Sequence, residues 1–433
     1  MKNAYLNFLK SDLIRNTSIL ISGTAIAQLV PILLQPVLRR YFSPETFGAY
    51  SVYLSLLGIL IVISSLRYEL AIILPEKDSE AAAVFFLSVI FNLCFNFLLF
   101  LTIILWESEI LSFLNLPEKF SIYLYLTPLG TFLFSLYQSI NYWLIRKKGF
   151  FAISLNKFIR RGFEGGAQLA FKFAKFSNGL IYGDLVGHVA NICSGIFQGM
   201  KSGLSLSLFS PHKMFYVLYK YSEYPKYNLA PAFMDACRFL LPAILINKFF
   251  STAGTGFFDL SKLLLSIPLA LVATSLSNVL LQRIAEKDKS QISIRKDLLY
   301  VLFFVTIIII TEIGIIMFFG EALFSLFFGS NWEFSGTISK TLVWAFTFNF
   351  LTSSFSSIFI SLNKIKLFSI WQVFYFSSIL FLFFFRYLNF LSFLRVYVLI
   401  EVICSSVISI LIVKIVIDYE RKILNNTFKV GRR

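Results

Sequence analysis

The 433-residue chain contains few charged residues and none of the usual signatures of catalysis. Only 14% of its residues are Asp, Glu, Lys or Arg. It has two histidines and four cysteines, and the cysteines lack CxxC or Cys/His spacing, which argues against a metal site or a disulfide framework. The motifs GxxxxGK[ST], DxD, HExxH and GxSxG are all missing. We therefore predict that the chain is not an enzyme, binds no cofactor or metal, and does not itself hydrolyse ATP.

Hydrophobic residues make up 57% of the chain, and its mean hydropathy is +0.76. This composition leaves too little polar surface for soluble domains. The apolar stretches are about 20 residues long, which is the length of helix that crosses about 30 Å of hydrocarbon. Short groups of charged residues separate these stretches. We predict an all-α integral membrane protein with about twelve transmembrane helices.

The predicted helices form two groups of six. The first group is expected near 14–38, 49–74, 81–105, 120–145, 149–173 and 178–199, and the second near 227–248, 255–282, 297–319, 335–361, 367–386 and 392–416. We predict four regions, namely a six-helix bundle at 1–200, a basic amphipathic cytoplasmic linker at 201–226, a second bundle at 227–418 and a basic cytoplasmic tail at 419–433.

The distribution of charge predicts the topology. With a cytoplasmic N-terminus, most Lys and Arg residues outside the helices fall in cytoplasmic segments, while the outer loops 106–119 and 320–334 are acidic. The positive-inside rule then places both termini in the cytoplasm. It also accounts for the net charge of +16 without a nucleic-acid partner.

An internal repeat supports two pseudo-symmetric halves. Residues 40–43 and Gly48 align with residues 248–251 and Gly256, each at the junction between the first two helices of a half. Repeats of this kind in transporters enclose a site near the middle of the membrane.

The fifth predicted helix is unusual because it carries four charges within eight residues. Lys157, Arg160, Arg161 and Glu164 share a broad face by their spacing. A charge in the membrane costs about 2.5 to 3.5 kcal/mol on insertion scales, so such a face has to line water, an anion or another helix. Three cations against one acid predict an excess of positive charge there.

Other charges within the predicted helices have nearby partners of opposite sign or stand alone. Helical spacing pairs Asp235 with Arg238, Asp259 with Lys262, and Asp184 with His188. Glu312 and Glu401 have no partner of opposite charge at helical spacing. Each is expected either to pair with a residue of another helix or to form a proton or cation site.

The segments 22–60, 142–150 and 223–271 resemble the polysaccharide transporter family of the multidrug/oligosaccharidyl-lipid/polysaccharide (MOP) superfamily. The first segment contains PVLRRYFSPETFGAY, the second is YWLIRKKGF, and the third contains EYPKYNLAPAF and GFFDLSKLLLSIPLAL. The resemblance implies a MATE-like architecture of two six-helix bundles. It also implies a Wzx-type flippase, which moves an undecaprenyl-pyrophosphate-linked oligosaccharide across the bacterial inner membrane by alternating access. A polysaccharide polymerase and a chain-length regulator are the protein partners that this pathway implies.

Such a substrate predicts cationic residues in the pathway, because guanidinium groups bind phosphate oxygens in pairs. We predict Arg160, Arg161 and Arg238 at mid-depth, Lys157 and Lys262 beside them, and Arg67 near the cytoplasmic entrance. Lys262 stands where relatives of the resembled family commonly carry a basic residue.

The sequence is also compatible with two other functions. A MATE-type drug or cation antiporter would instead use Asp184, Asp235 and Glu312, the residues that we also propose for a coupling ion. An enzyme of the same pathway, a polymerase or acyltransferase, would need a large outer loop or a catalytic His/Asp set. A lipid II flippase is a close variant, although relatives of that kind more often have fourteen helices.

Overall fold

The computed structural model describes the backbone of residues 12–430 and the side chains of residues 27–424. This part of the chain is helical and contains no β-strand, which confirms the predicted all-α fold. Twelve long helices lie in it, and each overlaps one of the predicted segments. The first six are α1 Asp12–Tyr41, α2 Pro44–Ser64, α3 Asp78–Leu105, α4 Ser121–Arg146, α5 Phe150–Phe173 and α6 Gly179–Lys201. The last six are α7 Leu229–Phe249, α8 Thr252–Lys289, α9 Arg295–Phe328, α10 Glu333–Phe355, α11 Ile365–Leu380 and α12 Phe390–Val430.

Ten helical segments in the described chain are long and apolar enough to cross a membrane. These segments make the chain a multi-pass membrane protein. Helix α5 is not among them, because its first fifteen residues include Lys157, Arg160, Arg161 and Glu164. A helix of this composition has to bury its charged face against protein or water.

The chain divides into two compact units, one ending at Gly256 and the other beginning at Phe257. In the first unit, α5 packs along α6 and also against α1, while α2 packs against α4 and α7. In the second unit, α10 packs against α9 and α12. The most extensively packed helix pair of the first unit, α5 with α6, carries the buried charges described below.

Helix α2 begins with a typical N-terminal capping sequence, in which Ser43 is the N-cap residue and Pro44 follows it. The Ser43 hydroxyl accepts a hydrogen bond from the Thr46 backbone N–H at 3.2 Å, and Pro44 occupies the first helical turn, where its missing N–H costs nothing. One turn later, a Cβ added to Gly48 would lie 1.7 Å from the Thr252 carbonyl oxygen. The backbones of α2 and of the first residues of α8 therefore touch directly.

The contact is reciprocal. A Cβ added to Gly256 would lie 1.9 Å from the Pro44 carbonyl oxygen. The buried Arg39 side chain donates from Nη1 to the Gly256 carbonyl at 3.3 Å and lies over the Phe47 ring, 3.8 Å from its centroid. Gly48 and Gly256 are the two glycines that the sequence repeat aligns. Both positions require glycine, because neither has room for even a Cβ atom.

The predicted helix 49–74 is wrong at its C-terminal end. Helix α2 stops at Ser64, Leu66 and Arg67 adopt positive φ angles of 50° and 66°, and a 3₁₀ helix follows at Tyr68–Ile73. The Ser65 hydroxyl donates to the buried Glu69 carboxylate, and this bond stabilises the turn. Hydropathy alone does not detect such a break, because the residues on both sides of it are apolar.

We expect Trp143→Ala to lower the stability of the first unit by about 3 kcal/mol, as large-to-small core changes do. Trp143 on α4 is fully buried, and its indole Nε1 donates to the Ser202 hydroxyl at 3.1 Å. Thermal unfolding of the purified protein in detergent measures the effect. Trp106→Ala is the control, since Trp106 is half exposed, and an equal loss in both variants would contradict the prediction.

Candidate functional site

The close packing of α5 on α6 depends on small residues. A Cβ added to Gly187 would lie 2.7 Å from the Glu164 Cβ and 2.9 Å from the Arg160 carbonyl oxygen. A Cβ added to Gly183 would lie 2.9 Å from the Gln168 backbone nitrogen. These two glycines form a GxxxG motif, which allows helix backbones to approach in membranes. The approach places the charged face of α5 directly against Asp184 and His188 of α6.

Arg160 joins three helices through its guanidinium group. Its Nη2 lies 3.5 Å from Asp184 Oδ1 and 3.1 Å from His188 Nε2. The guanidinium carbon also lies 5.0 Å from the centroid of the Phe134 ring on α4. Asp184 is fully buried and accepts a hydrogen bond on Oδ2 from the Tyr53 hydroxyl of α2, at 3.0 Å. The carboxylate thus makes an ion pair with α5 on one oxygen and a hydrogen bond with α2 on the other.

The hydrogen-bond partners assign the protonation state of His188. Because a guanidinium group only donates, the His188 Nε2 has to accept, which places the proton of the neutral ring on Nδ1. The His188 Nδ1 has no hydrogen-bond partner in the described part of the chain. In this arrangement the positive charge beside Asp184 is that of Arg160.

Arg161 makes its own ion pair on the same helix. Its Nη1 donates to Glu164 Oε2 at 2.8 Å, and the Glu164 side chain is nine-tenths buried. The pair faces a cavity of about 30 Å³ that is also lined by Gln35, Tyr50 and Gln168. Ligand sites are usually 300 Å³ or larger, so this cavity admits water molecules and no sugar in the present conformation.

The predicted excess of positive charge on α5 is reduced from two charges to one, because Asp184 of α6 adds a carboxylate to the three cations and Glu164. Two arginines face two carboxylates, Arg160 with Asp184 and Arg161 with Glu164, so these four groups are together neutral. The sequence argument considered α5 alone and paired Asp184 with His188 of its own helix. The Asp184–His188 contact exists at 3.6 Å, but Arg160 is the cation that balances the carboxylate. Lys157 lies one turn earlier on α5 and is partly buried.

The other predicted site residues lie in separate places. On α7, Arg238 Nη2 lies 2.9 Å from Asp235 Oδ1, so these two form the ion pair that their spacing predicts. Lys262 on α8 and Glu312 on α9 belong to the second unit and are partly buried. The Glu312 Oε2 atom has no hydrogen-bond partner in the part of the chain that the structure describes.

Arg67 lies in the turn after α2 rather than within a helix. Its Nη1 is 3.4 Å from Glu69 Oε1, and its Nε donates to Asn228 Oδ1 at 3.0 Å. Burial raises the pKa of Glu69, and the Ser65 hydrogen bond and the Arg67 charge oppose that shift. Arg67 thus connects the end of α2 to the start of α7.

Sequence analysis missed Tyr53, Phe134 and the role of His188. The GxxxG motif of α6 was a usable signal, since it predicts a tight helix contact and hence a partner for the charged face of α5. Tyr53 has no such signal, because it precedes Asp184 by 131 residues and tyrosines are frequent in this chain.

Comparison with solved structures defines the class of protein. An inward-facing multidrug resistance MATE family transporter of the MOP superfamily matches with a TM-score of 0.73 and 14% identity, over 91% of this chain and 96% of that one. The lipid II flippase MurJ, in an inward closed conformation, matches with a TM-score of 0.71 and 13% identity, over 95% of this chain and 92% of that one. The chain has the fold of MOP superfamily transporters.

A third similar structure is a MOP superfamily transporter from Pyrococcus furiosus, with a TM-score of 0.62 and 14% identity over 94% of this chain and 96% of that one. No curated protein matches the chain by sequence. Residues 37–338 match the family described as "Polysaccharide biosynthesis protein". The chain belongs to this family, which confirms the resemblance found in the sequence.

Proposed function

We propose that the chain is a flippase that moves an undecaprenyl-pyrophosphate-linked oligosaccharide across the bacterial inner membrane. The family and the MOP fold support a membrane flippase in polysaccharide biosynthesis. The observation that carries the choice of substrate is the pair of adjacent arginines, Arg160 and Arg161, on the charged face of α5. Guanidinium groups match the paired oxygens of a pyrophosphate, whose two negative charges cannot cross hydrocarbon unaided.

Both arginines already have anionic partners in the protein. In the present conformation Asp184 and Glu164 occupy them. A bound pyrophosphate takes the place of these carboxylates, so that Arg160 and Arg161 exchange one anionic partner for another. We propose that Lys157, Arg238 and Lys262 add positive charge along the same pathway, and that Arg67 contacts the substrate at the cytoplasmic entrance.

The exchange suggests how an ion is coupled to transport. When Arg160 turns to the substrate, the buried Asp184 loses its cation and keeps only the Tyr53 hydrogen bond. An isolated buried carboxylate is costly, so a proton or another small cation has to replace the guanidinium. Asp184 is therefore the proposed coupling residue, with Asp235 and Glu312 as further candidates.

The proposed architecture is alternating access by two six-helix bundles, 1–200 and 227–418, joined by the cytoplasmic linker 201–226 and followed by the cytoplasmic tail 419–433. Both termini are placed in the cytoplasm. The product is an oligosaccharide of the O-antigen or capsule kind, which a polysaccharide polymerase and a chain-length regulator then use on the other side of the membrane.

Deletion of the gene tests this function. We expect surface polysaccharide to be absent and the lipid-linked oligosaccharide to accumulate in the cytoplasmic leaflet, because its head group cannot cross without the protein. Leaflet-specific labelling of the accumulated lipid measures its location. Complementation with the wild-type gene is the control, and normal polysaccharide in the deletion strain would contradict the proposal.

A drug or cation antiporter of the MATE type is the second candidate. It is favoured by one observation, namely that a fully buried carboxylate, Asp184, lies at the centre of the cluster, because buried acids inside a membrane protein are typical of proton or cation sites. The same deletion strain discriminates between the two functions. Intact polysaccharide with altered drug or cation tolerance would favour the antiporter.

A further inference from the structure

A larger pocket lies in the first unit, where the linker joins α7. Its volume is about 460 Å³, within the usual range of ligand sites. The residues that line it include Lys220, Tyr221, Glu223, Tyr224, Tyr227 and Asn228. Residues Tyr224–Asn228 form a single π-helical turn, a distortion that is frequent at functional sites. This pocket is separate from the arginine cluster.

The wall of the pocket is fixed to the helix bundle. The linker helix Pro211–Lys220 buries Met214 and Val217. Lys220 Nζ lies 2.6 Å from Glu80 Oε1 near the start of α3, and the Tyr221 hydroxyl donates to the same oxygen at 2.9 Å. These contacts hold Tyr221 and the turn that follows it in place.

The opposite face of the linker helix carries exposed aromatic residues. Phe215, Tyr216 and Tyr219 are 63%, 56% and 66% exposed. Aromatic side chains of this kind are enriched at the membrane–water interface, where an amphipathic helix lies with its apolar face in the head-group region. The exposed aromatic face therefore suits a position of the linker helix, and of the pocket beside it, at the depth of lipid head groups.

The chemistry of the lining suits a sugar. Tyr224 and Tyr227 provide aromatic faces, against which the flat C–H face of a sugar ring packs, and Tyr227 is 73% exposed. The Asn228 amide and the Glu223 carboxylate supply groups that hydrogen-bond to sugar hydroxyls. Arg67, which donates to Asn228 at 3.0 Å, places a cation beside the pocket for a phosphate.

We propose that this pocket binds the membrane-proximal sugar of a lipid-linked oligosaccharide before the substrate enters the transport pathway. The inference rests on the proposed flippase function and adds a loading site to it. In this site Tyr224 and Tyr227 bind the sugar, and Arg67 and Lys220 lie on the side of the pyrophosphate. The polyprenyl chain stays in the lipid beside the linker helix.

Binding to purified protein in lipid nanodiscs tests the loading site. The probes are the lipid-linked oligosaccharide extracted from the deletion strain and undecaprenyl pyrophosphate, which lacks the sugar. We expect Tyr227→Ala to weaken binding of the first probe about tenfold, as the loss of about 1.4 kcal/mol would, and to leave the second unchanged. Tyr227→Phe, which keeps the ring, should bind as the wild type does.

Tyr300→Ala is the matched control, because Tyr300 on α9 is 74% exposed, as Tyr227 is at 73%, and does not line the pocket. Wild-type affinity for the oligosaccharide lipid in both Tyr224→Ala and Tyr227→Ala would overturn the loading site, as would an equal loss for both probes. Normal surface polysaccharide in the deletion strain, with no accumulated lipid-linked oligosaccharide to extract, is instead the failure of the flippase function itself. The two failures are thereby distinguished.

Discussion

Arg160→Gln is expected to abolish surface polysaccharide in a complementation assay and to lower the amount of the protein in the membrane. Arg160 is the cation shared by Asp184 and His188, and we propose that it binds the substrate pyrophosphate. Glutamine keeps part of the size and hydrogen-bonding capacity but loses the charge and the paired donors. Arg161→Gln should act in the same direction, and Arg160→Lys should be milder because it keeps the charge.

A double variant separates the role of the Arg160–Asp184 pair in transport from its role in folding. Arg160→Gln alone leaves Asp184 buried without its cation, and removal of one partner of a buried pair costs about 3 to 5 kcal/mol. Arg160→Gln with Asp184→Asn removes both charges and should restore a normal protein level without restoring polysaccharide. Wild-type polysaccharide in either the Arg160→Gln strain or the double-variant strain would exclude Arg160 from the pathway.

Gly48→Val is expected to remove the folded protein from the membrane. Its Cβ would lie 1.7 Å from the Thr252 carbonyl oxygen and 3.1 Å from the Gly256 backbone nitrogen, so the backbone itself would have to move. Forced overpacking of this kind costs about 3 kcal/mol or more. Immunoblotting of membrane fractions and thermal unfolding in detergent measure the loss.

Gly162→Ala on α5 is the matched control for Gly48→Val. A Cβ at Gly162 would have no atom within 4 Å, and alanine favours a helix by about 1 kcal/mol over glycine. This variant should therefore be present at the normal level or be slightly more stable. A Gly48→Val protein as abundant and as stable as Gly162→Ala would show that the α2–α8 contact is not required.

The fold was predictable because helix position follows from local information. Each apolar stretch long enough to cross a membrane is flanked by charges, and all twelve predicted segments overlap a long helix of the described chain. The ends were less predictable. Helix α9 continues to Phe328, past Gly320 and Glu321, which the sequence predicts as part of an outer loop, and α12 continues to Val430.

The candidate site was predictable only in part. Arg160 and Arg161 are identifiable from the sequence because a charge inside a membrane helix is costly unless it is paired or lines a polar pathway. Their partners depend on which helices meet. Asp184 is visible in the sequence, but its pairing with Arg160 depends on the contact between α5 and α6. The Tyr53 hydrogen bond to Asp184 likewise depends on the position of α2. Long-range pairs of this kind leave no local pattern.

The buried ion pair between Arg160 and Asp184 also restricts how this membrane protein can evolve. A single mutation at position 160 or 184 leaves one buried charge without its counterpart, so the intermediate is poorly folded before any change in substrate is tested. New specificity at this site has to arise through paired changes, or through neighbours such as Tyr53 and His188 that contact the pair and carry no charge. The polar neighbours are thus the positions at which related transporters can diversify first.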